Sequence, residues 1–129
     1  MATLRFLLVE DDDANRQLAH TRLSLLGYDV VPCANGEDAI AMVEAGQPFD
    51  MALMDLRLPG ISGTEVIHWL RGNPATTALP ILVVSGEPDA HLVVGADHAI
   101  QKPYHLHELV LAIGHTFERR APRHNVPSA

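Results

Sequence analysis

Four consecutive apolar residues, Met51-Ala52-Leu53-Met54, run straight into Asp55 and then into a loop closed by Pro59-Gly60. A continuous apolar run of that length suits a strand covered on both faces, as in the middle of a parallel sheet. Parallel strands need crossovers of about a dozen residues or more, so the flanking chain must supply helices. Asp55 then sits at the carboxyl end of its strand, the side on which open α/β sheets build their sites. Taken alone, Asp55 is an ordinary turn residue.

The rest of the chain repeats the pattern. Phe6-Leu7-Leu8-Val9 reads as a buried first strand that ends at Glu10, Asp11, Asp12 and Asp13. Asp13 is placed to cap a first helix whose apolar face is Leu18, Leu23, Leu25 and Leu26, with Gly27 as its stop. Tyr28 to Val31 forms a second strand, and Asn35-Gly36 opens a second helix carrying Ala39, Ile40, Met42 and Val43. Ser62 caps a third helix with Val66, Ile67, Trp69 and Leu70, closed by Gly72-Asn73-Pro74. Ile81 to Val84 is a fourth strand ending at Ser85-Gly86. The next crossover is short: Pro88 suits a first helical position and Gly95 a stop, leaving about two turns. Ala99 to Gln101 gives a brief fifth strand before Lys102-Pro103, and Leu106, Leu109, Val110, Ile113 and Phe117 form the stripe of a last helix. Residues 1–120 thus read as one domain and 121–129, polar and proline-containing, as a flexible C-terminal tail.

Five strands alternating with five helical segments predict a doubly wound, five-stranded parallel α/β sheet with right-handed crossovers. The common order for this count is 2-1-3-4-5, flavodoxin-like, with its switch point between strands one and three. That order sets Glu10 and Asp11 beside Asp55, with Ser85 and Lys102 on neighbouring strand ends. Composition narrows the chemistry. The net charge of −7 argues against a nucleic-acid surface, because phosphate contacts need clustered Lys and Arg. Cys33 is the only cysteine, which fits a reducing cytoplasm. The apolar run before Glu10 is too short for a signal peptide or membrane span.

Three carboxylates within about 4 to 6 Å repel by roughly 4 kcal/mol per close pair at an effective dielectric near 20, unless a proton or a cation intervenes. An all-oxygen site that keeps several waters suits Mg²⁺, which readily shares itself with a phosphoryl group. An aspartate can be the nucleophile toward phosphorus, and a metal, a lysine and a hydroxyl together neutralise the transferring oxygens. Asp55, Lys102 and Ser85 supply that set.

LLVEDD at strand one, LMDLRLPGISG at strand three, ILVVSG at strand four and QKP at strand five, in this order and spacing over residues 4 to about 118, make the chain resemble a response-regulator receiver domain of two-component signalling, the CheY-like group. The resemblance implies that Asp55 accepts a phosphoryl group from the phosphohistidine of a sensor histidine kinase or phosphotransfer protein. It implies Mg²⁺ bound directly by Asp11 and Asp55, by Glu10 through water, and by the backbone carbonyl of Arg57. Lys102 would contact the phosphoryl oxygens, Ser85 would hydrogen-bond them after transfer, and the Lys102-Pro103 peptide would be cis. The expected product is a switch read by an unidentified output protein or domain, with no turnover of an external substrate, nucleic acid or membrane involved.

Two departures stand out. The position three before Lys102, usually aromatic in the family, is Ala99, and the segment from Ser85 to Lys102 is short, so the fourth helix should be truncated. Both motivate an alternative, a phosphorylation-independent receiver-fold binding module. A third reading, a phosphatase working through an aspartyl phosphate, is weak because the second aspartate common in one such family is Arg57 here. Arg57 reads as solvated, its nearness to the acids allowing a role in tuning phosphate lifetime, Trp69 as packing, and Arg119, Arg120 and Arg123 as solvated charge. His105, His107 and His115 lack the i, i+4 spacing of a helical zinc pair, and His105 and His107 are expected on different helix faces.

Overall fold

In the computed structural model, which describes residues 3–88 and 90–120, five parallel strands form one sheet of order β2-β1-β3-β4-β5. The strands are β1 (Arg5–Val9), β2 (Asp29–Cys33), β3 (Met51–Met54), β4 (Ile81–Ser85) and β5 (His98–Gln101). The helices are α1 (Asp13–Leu25), α2 (Gly36–Glu44), α3 (Gly63–Gly72) and α4 (Leu106–Arg119). The expected tail, 121–129, lies outside the described residues.

Period-2 alternation splits the central strands between two cores. Leu7, Val9, Ala52, Met54, Ile81 and Val83 face α2 and α3, where Ala39, Val43, Val66, Ile67 and Leu70 close on them. Phe6, Leu8, Met51, Leu53, Leu82 and Val84 face α1 and α4. β1, β3 and β4 therefore read as unbroken apolar runs because both their faces are covered, whereas the edge strands β2 and β5 are partly exposed.

The fourth crossover is shorter than the two turns expected. Among the described residues a single 3₁₀ turn, Ala90–Leu92, stands between β4 and β5. Pro88 lies ahead of that turn, and Gly95 at φ +96° ends the path too soon for an α-helical ladder. A charged node secures the base of the segment. Asp97 accepts from Arg71 (3.0 Å), from Arg120 (2.5 Å) and from the Ile81 amide (2.8 Å). Arg71 also donates to the carbonyls of Gly95, Thr76, Thr77 and Leu79. Arg120 is thus a buried-carboxylate partner rather than merely solvated charge.

Three further expectations are corrected. Asp12, not Asp13, caps α1, its carboxylate accepting from the Asn15 amide at 2.8 Å; Asp13 is the first helical residue. Of the predicted α1 face only Leu23 is buried, joined by Ala19, while Leu18, Leu25 and Leu26 are exposed. On α4 the buried stripe is Leu109, Ala112, Ile113 and Thr116, with Phe117 packed beside it and Leu106 and Val110 at the surface. The rotation is tolerated because the Thr116 hydroxyl is satisfied by the Ala112 carbonyl at 2.6 Å. Asn35 and Ser62 cap α2 and α3 as expected, Ser62 within a capping box with Glu65.

Candidate functional site

Strand register builds the site. Val9 pairs with Met54, so the residues that follow, Glu10 and Asp55, leave the sheet side by side, and the Asp55 amide donates to the Val9 carbonyl at 3.0 Å. Ser85 pairs with Gln101, and the Lys102 amide donates to the Ser85 carbonyl at 2.8 Å. Four strands thereby deliver Glu10, Asp11, Asp55, Ser85 and Lys102 to one end of the sheet, at the carboxyl ends where the order reverses. The Lys102-Pro103 peptide is cis.

Glu10 is 5% and Asp55 8% exposed, while Asp11 is open to solvent. One carboxylate oxygen from each of the three lies within 4.8 Å of the others. Lys102 Nζ sits between two of them, 2.5 Å from Glu10 Oε1 and 3.2 Å from Asp55 Oδ2. A single ammonium cannot balance this much negative charge. Burial raises the pKa of Glu10 above its usual range, and the neighbouring Asp55 adds to the rise although Lys102 opposes it. Burial works against the Lys102 ammonium, yet its contacts with Glu10 and Asp55 outweigh that and raise its pKa.

The donor set fits a small hard cation. In an octahedron with bonds of about 2.1 Å, adjacent ligands stand about 3 Å and opposite ones about 4.2 Å apart, close to the spread of these oxygens. Each acid also has a place held for it. Arg16 donates to the carbonyls of Glu10 (3.0 Å) and Asp11 (3.3 Å) and to the Asp13 carboxylate, pinning the acidic loop. The Asp12 amide donates to Glu10 Oε2 at 3.2 Å, and the Arg57 amide to Asp55 Oδ1 at 3.1 Å. At Gly63 any Cβ would collide with the Asp55 carbonyl oxygen and the Leu56 backbone, so α3 starts directly on the loop that follows Asp55. The Ser85 hydroxyl is buried and accepts from the Glu87 amide at 3.1 Å.

The Arg57 side chain is exposed as expected, but it is not merely solvated: it forms an ion pair with Glu87. Glu87 was not singled out by sequence; the signal was its offset, two residues past Ser85, matching that of Arg57 past Asp55. A cavity of about 420 Å³ opens beside the acids and runs between α1 and the sheet, lined among others by Asn15, Ala19, Arg22 and Tyr104. Arg22 lies over the Tyr104 ring at 5.6 Å. His105 and His107 stand outside this site, and their rings stack at 5.9 Å rather than diverging, because His105 is the cap of α4 and does not follow helical spacing.

The response regulator receiver domain model matches residues 6–114. A cyclic di-GMP phosphodiesterase of Thermotoga maritima is 38% identical over 120 residues, covering 88% of this chain and 31% of that protein. The cell cycle transcriptional regulator CtrA of Caulobacter vibrioides is 34% identical over 124 residues, covering 94% of this chain and 53% of that protein. The chain thus spans about a third to a half of these curated relatives. The receiver domain of a sensor histidine kinase of Pseudomonas aeruginosa PAO1, solved with a magnesium ion coordinated in its active-site cleft, superposes with a TM-score of 0.79 at 30% identity, covering 88% of this chain and 99% of that one. No helix among the described residues is long and apolar enough to cross a membrane. With the doubly wound fold, the acids at its switch point and these likenesses together, the chain belongs to the response-regulator receiver domain family of two-component signalling.

Proposed function

We propose that Asp55 is the phosphoacceptor of this receiver and that Lys102 and Ser85 serve the transferred group. The observation that carries the reading is the meeting of three carboxylates and one lysine, from positions far apart in the chain, at one end of the sheet. An Asp55 oxygen attacks phosphorus of a phosphohistidine on a sensor histidine kinase or phosphotransfer protein. The new O–P bond forms as the N–P bond breaks, and the imidazole leaves with the electron pair and takes up a proton. Lys102, already bridging Glu10 and Asp55, neutralises phosphoryl oxygens, and the Ser85 hydroxyl donates to one of them. Asp11 and Asp55 would hold Mg²⁺ directly, Glu10 through water, and the Arg57 backbone carbonyl would complete the protein ligands. When bound, the ion supplies the positive charge that lets an anionic donor approach an anionic nucleophile.

Asp55 phosphorylation then signals to a protein partner or output domain, in a reducing cytoplasm that suits the lone, buried Cys33. The transcriptional-regulator relative extends well beyond the matched region, so DNA contact by this domain is not required; likewise the phosphodiesterase relative does not make this chain an enzyme. Acetyl phosphate with Mg²⁺ is expected to add the mass of one phosphoryl group to the native chain and none to Asp55→Asn. A mass gain that survives that substitution overturns the assignment.

A second reading, a receiver-fold binding module indifferent to phosphorylation, draws on Ala99 and on the single 3₁₀ turn of the fourth crossover. It predicts partner affinity unchanged by beryllofluoride loading, where the first reading predicts a change.

A further inference from the structure

Arg57 and Glu87 belong to a series of contacts across the mouth of the site. The Arg57 amide donates to the Asp55 carboxylate, its guanidinium pairs with Glu87, and the Glu87 amide donates to the Ser85 hydroxyl. Asp55 follows β3 and Ser85 ends the neighbouring β4, so these contacts join the two loops that frame the phosphoacceptor. Glu87 also opens the fourth crossover. Its carbonyl accepts from the Ala90 amide at 3.3 Å, that of Ala90 from Val93 at 3.2 Å, and that of Val93 from Ala96 at 3.4 Å. These bonds are long, no helical ladder backs them among the described residues, and Val94 among them stands 91% exposed. The far end is fastened at Asp97; the near end is fastened at Glu87.

Resting on Asp55 as the phosphoacceptor, we propose that Glu87 is the residue through which charge on Asp55 reaches the fourth crossover. A phosphoryl group brings nearly two negative charges and three acceptor oxygens next to Arg57, whose amide already touches the carboxylate. The Arg57 side chain is 82% exposed, and ion pairs at such positions hold weakly against competition. Doubly charged phosphoryl oxygens are the stronger partner for a guanidinium. When Arg57 turns to them, the Glu87 carboxylate loses its cation and faces added negative charge. The first turn of the crossover then loses its outer tie, and the strap from Gly86 to Asp97 loosens. No aromatic ring at position 99 takes part, since that residue is alanine. The signal travels through charge at the rim of the sheet rather than through packing beneath it.

Amide hydrogen exchange of residues 86–97 tests this in the full chain with Mg²⁺, with and without beryllofluoride, loading being confirmed by fluorine NMR. In the native chain, loading is expected to speed exchange of this segment about two- to fivefold, the range an exposed ion pair is worth. Glu87→Gln is expected to exchange at the faster rate already and to respond no further. Unchanged exchange on loading of the native chain overturns the proposal. So does a response that survives in Glu87→Gln but is lost in Ser85→Ala, which would give the role to the hydroxyl. If acetyl phosphate modifies Asp55 in either case, the phosphoacceptor reading stands while this inference falls; if nothing loads or modifies Asp55, both fall together.

Discussion

Lys102→Met tests the charge balance on which the site depends. Lys102 is the cation that touches both Glu10 and Asp55, and methionine keeps most of its stem, so packing changes little. What disappears is the charge. The acid oxygens left behind lie within 4.8 Å of one another, where each pair of full charges repels by about 3.5 kcal/mol at an effective dielectric near 20. Removing one partner of a buried ion pair costs about 3 to 5 kcal/mol, and because Asp11 keeps the site open to water the low end, about 3 kcal/mol, applies. For a domain of this size that lowers the melting temperature by roughly 12 °C and the urea midpoint by about 1.5 M. The loss is conditional on ionised, uncompensated acids. Millimolar Mg²⁺ should stabilise the variant more than the native chain and recover over half of the difference. Protons act in the same direction. The Glu10 pKa is raised in the folded state, so its contribution to stability is fully present below its ordinary value and is lost as pH rises through the raised one. The deficit of the variant should therefore be larger at neutral pH than at a mildly acidic pH close to the ordinary value of Glu10. Urea unfolding of both chains, with and without Mg²⁺ at both pH values, gives the result. A deficit of the same size under all four conditions would refute the electrostatic account and leave Lys102 as packing.

Gly63→Ala should destabilise the fold by about 1 to 3 kcal/mol, since a Cβ there collides with backbone that cannot move aside, and it should slow phosphorylation of Asp55 as well. Thermal unfolding and acetyl phosphate kinetics measure the two effects. Burial pushes the Cys33 thiol up to about 11, so in the folded chain it should resist iodoacetamide at neutral pH and react only as urea unfolds the protein, by mass spectrometry. Burial, with His115 and Arg119 nearby, lowers the pKa of His98; its contribution to stability should be intact above about pH 6.5 and lost as pH falls through the depressed value, and His98→Asn should flatten that part of the urea-midpoint profile.

Most of the sheet was legible because β1, β3 and β4 are covered on both faces and so carry unbroken apolar runs, and the acids follow directly on strand ends. What failed was local choice among near-equivalents. Four acids in a row, Glu10 to Asp13, offer no sequence reason why Asp12 rather than Asp13 should cap α1. Leucines at helical spacing on α1 and α4 outnumber the positions the sheet covers, and small Ala19 and Ala112 are buried beside Leu23 and Leu109 while Leu18, Leu25 and Leu111 stay outside. Non-local partners were invisible for a different reason. Nothing near Arg120 in sequence announces Asp97, and nothing near Arg57 announces Glu87; each pair exists only once separate crossovers have been laid side by side.

The three donors of Asp97 come from α3, from the start of β4 and from the C-cap of α4, so one side chain rivets three separate elements at the foot of the sheet, opposite the chemistry. Asp97→Asn would strip the counter-charge from two neighbouring guanidinium groups at once, and the last helix and the fourth crossover would lose their common anchor together.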